Sequence, residues 1–163
     1  MSTQWLTWLL ILAALSGGCR KRHVGDQFIF HKGFYGIPWG ASVNRIDSLT
    51  AKDSSFKKIS QVVNMQTGGS IIVVQRHQRD YYLEFDANGR LFYISYIALY
   101  DQADLDSVKT QLERNYGKPD KDEHQDVPYD NKFWNISADS TRLEIQLLIT
   151  DNSYSLKVSN LKN

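Results

Sequence analysis

The chain has one cysteine and three prolines in 163 residues. A single thiol excludes an intrachain disulfide framework, and a metal site would need histidine and carboxylate ligands. An excess of one charge is missing too: 19 Lys and Arg face 18 Asp and Glu, a formal net charge of +1. That balance argues against a nucleic-acid binder working by phosphate neutralisation. The longest apolar run, Trp5 to Leu15, holds about eleven residues where a membrane-spanning helix needs about 20. Catalytic signatures are scarce. There is no G-x-S-x-G elbow. His23, His31, His77 and His124 stand singly, without an H-x-x-x-H or H-E-x-x-H pattern. Gly68–Gly69 lies in neither a P-loop nor a dinucleotide fingerprint. The acidic segment with Asp120, Asp122, Glu123, Asp126 and Asp130 fails as an EF-hand, which would put Gly at the place of Gln125 and Glu at that of Asn131. The expectation is a protein without catalytic residues, cofactor or metal, with a calcium- or small-ligand-binding carrier as the alternative and a hydrolase behind it.

What is present begins at the N-terminus. The Trp5–Leu15 run has the length of a signal h-region, and Ser16-Gly17-Gly18-Cys19 follows it. This stretch resembles the lipobox of bacterial lipoproteins, although Ser16 stands where Leu is usual and Met1–Gln4 carries no Lys or Arg. The resemblance implies removal of residues 1–18 and acylation of Cys19 with palmitate-type chains. It further implies an exported protein held at a membrane of the cell envelope. Two or more acyl chains anchor stably where one is marginal. Residues 19–27 then form a tether whose Arg20, Lys21 and Arg22 suit anionic headgroups, each contributing about 1 kcal/mol. The alternatives are an ordinary secretory signal cleaved near Gly18, giving a secreted or periplasmic soluble protein, and an apolar segment that stays uncleaved as an anchor.

Residues 28–163 read as a single α+β domain. With 42% hydrophobic and 12% aromatic residues over the chain, they suffice for a core without disulfides. Aromatics and glycines alternate from Phe28 to Gly40, which suits extended chain and turns. Ser42 is placed to cap a short helix with Val43, Ile46 and Leu49 on one face. Strands are expected at 58–64 and 70–77 around Thr67-Gly68-Gly69, and at 81–86 and 90–99 around Asn88-Gly89, a strong hairpin signal. Leu105, Val108, Leu112 and Tyr116 then line a helix that Asp104 could cap and that Gly117 and Pro119 end. Residues 118–130 look like an acidic loop. Strands follow at 132–137, 142–150 and 154–160, the last two alternating apolar and polar residues as half-buried antiparallel strands do. The predicted architecture is an antiparallel sheet with two helices on one face. Its order of elements points to a duplicated helix-plus-strands unit, although no residue-level repeat is visible.

The run Gly36-Ile37-Pro38-Trp39-Gly40-Ala41-Ser42, the later Tyr116-Gly117-Lys118-Pro119 and the strand with Phe133-Trp134 resemble small exported bacterial proteins that carry a G-I-x-W-G motif and have no established activity. The order of elements is also similar to small periplasmic modules of the β-lactamase-inhibitor type and to outer-membrane assembly lipoproteins, an analogy of fold alone. Gly36 and Gly40 are expected to take conformations open to glycine, and Trp39 to insert between helix and sheet. Tyr81, Tyr82, Tyr93, Tyr96 and Tyr100 fall on neighbouring strands. Alternation in 90–99 puts Leu91, Tyr93 and Ile97 on one face and Phe92, Ile94, Tyr96 and Ala98 on the other. Burial of both faces is expected; otherwise Tyr93, Tyr96 and Tyr100 mark an interaction surface. The function expected is a non-enzymatic, membrane-anchored module that binds another envelope protein or peptide and no nucleic acid.

Overall fold

Hairpin turns between sequence neighbours build most of this fold. The computed structural model describes residues 28–124, 129–138 and 141–161. The signal segment, Cys19, the Arg20–Lys21–Arg22 tether, His23 and Asp126 lie outside the described residues. After a 3-10 turn at Phe30–Lys32, helix α1 (Asn44–Lys52) leads into strands β1 (Phe56–Val63), β2 (Ser70–Arg76), β3 (Arg79–Phe85) and β4 (Leu91–Leu99). Helix α2 (Gln102–Tyr116) then leads into β5 (Lys121–His124), β6 (Asp130–Ala138), β7 (Thr141–Ile149) and β8 (Ser153–Asn160). The strands form one eight-stranded sheet in the order β1-β2-β3-β4-β8-β7-β6-β5. Every pairing is antiparallel.

Side chains on a strand alternate between faces, so the register fixes which face each residue serves. Ile72, Leu83, Ile94, Val158, Ile145 and Trp134 lie opposite one another in sequence across six strands. All six are buried. Ile46 of α1 and Leu105, Val108 and Leu112 of α2 join the same core. Both helices cover this face. Asp104 of α2 is bonded by the Tyr154 hydroxyl, and the carbonyl of Gly117, just past α2, accepts the Trp134 indole N–H at 2.9 Å. Asp47 of α1 pairs with Lys58, which lies opposite Val74 in the register. Among the described residues no helix is long and apolar enough to cross a membrane.

The G-I-P-W-G-A-S run clamps the start of β4. Tyr35 (φ 46°) and Gly36 (φ 84°) form a tight turn closed by two hydrogen bonds between Phe34 and Ile37, each 2.8 Å. Both residues have positive φ, the pattern of a type I′ turn, which explains glycine at 36. Gly33 answers a different need: a Cβ there would stand 1.9 Å from the Ile37 carbonyl oxygen. The Gly40 N–H donates to Leu91 O at 2.9 Å, and the Leu91 N–H donates to Ala41 O at 3.0 Å. Trp39 stays partly buried against the core and donates its indole N–H to Phe30 O at 2.7 Å.

Several expectations need correction. Ser42 caps nothing with its side chain; it forms a bridge with Arg90, and α1 starts without a side-chain cap. Asp101, not Asp104, caps α2, accepting the Asp104 N–H at 2.8 Å. The acidic segment contains β5, whose charged residues pair with β6 from Lys121↔Phe133 to His124↔Asp130. In the β3–β4 pairing the register slips between Glu84 and Phe85 of β3, so Phe85 faces Leu91 and Glu84 faces Tyr93. That bulge leaves Phe92 as the extra residue and turns Leu91 inward beside Ile94 and Tyr96.

Candidate interaction face

Among the described residues nothing covers the face away from the helices. Its two cross-strand rows follow from the same register. One reads Val62, Ile71, Glu84, Tyr93, Ser159 and Glu144. The other reads Ser60, Val73, Tyr82, Ser95, Lys157 and Gln146. The β1–β4 half is thus rich in apolar and aromatic side chains, and the β7–β8 half is polar. Ile97 is 65% exposed, Val62 59% and Tyr82 37%. Ile71, Val73, Phe92 and Tyr93 are half-buried.

The tyrosines separate accordingly. Tyr93 lies on the open face. Burial pushes its hydroxyl pKa up, and the neighbouring Glu84 charge adds to the shift. Tyr100 follows β4, is exposed, and donates its hydroxyl to Gln102. Tyr96 is no part of a surface: it is 1% exposed on the core face. The Arg79 guanidinium lies 4.7 Å from its ring centre, and the Phe28 ring stacks on it at 6.0 Å. Burial drives the pKa of the Tyr96 hydroxyl well up, and that hydroxyl has no hydrogen-bond partner among the described residues. Expected burial of both faces of this strand therefore holds for one face only.

At the β1–β2 turn end of the open face lies a recess of about 260 Å³, walled by Ile71 and Phe92 and edged by Asn64, Thr67, Glu84 and Asp86. Asp86 is fully engaged, accepting from the Arg90 and Asn88 N–H groups and pairing with the Arg90 side chain at 2.9 Å. Glu84 is different. Burial among apolar neighbours raises its pKa, and burial is the sole cause. Sequence analysis does not single out Glu84, yet a signal exists: it is the one acid in the stretch Tyr81-Tyr82-Leu83-Glu84-Phe85, which is otherwise aromatic and apolar.

A larger cleft of about 360 Å³ opens on the helix side, beside Tyr35, Leu49, Phe56 and Arg76. Its own cation fills the aromatic role, with Arg76 4.4 Å from the Tyr35 ring centre and 4.9 Å from that of Phe56. Ser55 hydrogen bonds and the Arg76 charge hold the nearby Asp53 carboxyl below its ordinary range. The acidic segment is similarly engaged. Asp120 accepts the Asn135 N–H, Lys132 reaches Asp122 at 2.6 Å and Asp130 at 3.4 Å, and Lys121 pairs with Glu123. Among the described residues no three His, Cys, Asp or Glu side chains are grouped to hold a metal ion. No protein-family model matches the chain, and no curated protein or solved structure is significantly similar to it.

Proposed function

We propose that this protein is a membrane-anchored, non-enzymatic lipoprotein of the bacterial cell envelope that binds another envelope protein or peptide through its open sheet face. The carrying observation is the asymmetry of the sheet: helices cover one face, and the other presents Val62, Tyr82 and Ile97 exposed among half-buried Ile71, Phe92 and Tyr93. Contiguous exposed apolar surface of this kind marks interaction sites on soluble domains. Anchoring rests on the sequence at Ser16-Gly17-Gly18-Cys19. The duplicated-unit reading rests on the order of elements alone.

The test is a photocrosslinking amino acid placed in the full-length chain inside cells. At Ile97 or Tyr82 it should yield one discrete adduct, which Tyr93→Glu should abolish. At Asp106, exposed on α2, it should yield none. Equal adduct patterns from both faces, or none from either, defeat the proposal.

A further inference from the structure

We infer that the recess beside Glu84 is an anchor site for one arginine or lysine side chain of a partner polypeptide. The inference rests on the open-face reading and adds the chemistry of its specificity. Glu84 sits half-buried on β3, directly between Ile71 of β2 and Tyr93 of β4. Among the described residues no cation lies against it and no hydrogen bond reaches its carboxylate. The two acids that flank it on or beside β3 are committed: Asp86 to Arg90, and Asp80 to the Gln75 side chain at 2.9 Å. An unpaired carboxylate amid apolar groups is costly, and an incoming cation removes that cost by supplying a charge-assisted bond.

The shape of the recess selects the carrier of the cation. About 260 Å³ walled by Ile71 and Phe92 suits a flexible aliphatic stem, and long basic side chains bury such stems along apolar surface while their heads keep a polar partner. Phe92 is placed there by the β4 bulge, which puts it next to Tyr93 instead of across the sheet from it. The surrounding apolar half of the face extends toward Tyr82 and Ile97, so the basic residue should be flanked by apolar ones. A free small cation would use the carboxylate and leave that flanking surface unused.

The experiment is methyl NMR of the full chain in detergent micelles, titrated with acetyl-Leu-Arg-Leu-amide. The Ile71 methyl signals should shift and saturate. The citrulline peptide, equal in shape and neutral, should bind at least about tenfold more weakly. Glu84→Gln should weaken the arginine peptide by about the same factor and leave the citrulline peptide unchanged. Unmoved signals from Ile94 and Ile145 in the core confirm that the variant folds. Equal binding of both peptides, or undiminished binding to Glu84→Gln, overturns the inference. So does butylguanidine binding as tightly as the peptide, which would make this a small-cation site. A wild-type dimer that Glu84→Gln converts to monomer overturns it in favour of a second copy of this chain. The two readings fail separately. An Ile97 crosslink that persists in Glu84→Gln keeps the open face and removes the anchor. Glu84-dependent peptide binding without any crosslink keeps the anchor and removes the envelope partner.

Discussion

At the scale of single residues, Glu84 and Asp104 show how burial and pairing decide what a carboxylate does. Glu84 has its pKa raised by burial, so the folded state binds its proton more tightly than the unfolded chain does. Its contribution to stability therefore grows as pH falls through the folded pKa and levels off below the unfolded one. Glu84→Gln should stabilise the protein slightly at neutral pH, by up to about 0.5 kcal/mol, and should flatten this part of the pH dependence; thermal melts at pH values around 5 and 7 measure both. A variant that gains stability and loses binding is the pattern expected of a group kept for function. Asp104 is the opposite case. It takes both oxygens to Arg79 at 2.7 Å and accepts the Tyr154 hydroxyl, tying α2 to β3 and β8. Asp104→Ala should cost roughly 1.5–3 kcal/mol in urea unfolding. Lys58→Ala breaks a bond to the 53% exposed Asp47 side chain and should stay within about 0.5 kcal/mol.

Individual elements were legible where a local rule governs them. Helix α2 was readable because Leu105, Val108 and Leu112 keep helical spacing and Gly117 ends it with φ 81°. Hairpins at Gly68 and Gly89 were readable from turn residues. Strand β5 was not, because Lys121-Asp122-Glu123-His124 has no apolar alternation and owes its extended form to pairing with β6. The inward turn of Leu91 on β4 is not legible, because a bulge shifts phase without leaving a composition signal. For the same reason the recess was hidden: Ile71, Glu84 and Phe92 are brought together by register, which local sequence does not encode. The β2–β3 turn offers an element-scale test. His77 and Gln78 occupy positive φ, 48° and 65°, without glycine. Gln78→Gly should stabilise the hairpin by about 0.5–1 kcal/mol, read from chemical denaturation.

For the whole molecule, the proposed anchoring rests on the lipobox-like sequence at Ser16-Gly17-Gly18-Cys19 alone. Cys19→Ala should move the full-length protein from the membrane fraction to the soluble envelope fraction and abolish labelling with radioactive palmitate. Retention at the membrane without label would assign the anchoring to the uncleaved Trp5–Leu15 segment instead.

The order of the sheet has a kinetic consequence. Six of its seven strand pairings join sequence neighbours through hairpins; the exception is the β4–β8 pair, where Tyr96 meets Leu156. Closing a loop of roughly 60 residues costs about 2 kcal/mol more than closing one of roughly six. The two meanders can each zip from their turns, and the seam between them is expected to close late. Conservative truncations across that seam, such as Ile94→Val or Val158→Ala, should then speed unfolding more than they slow folding in stopped-flow measurements. The chain would thus assemble its two halves independently and join them last along one line.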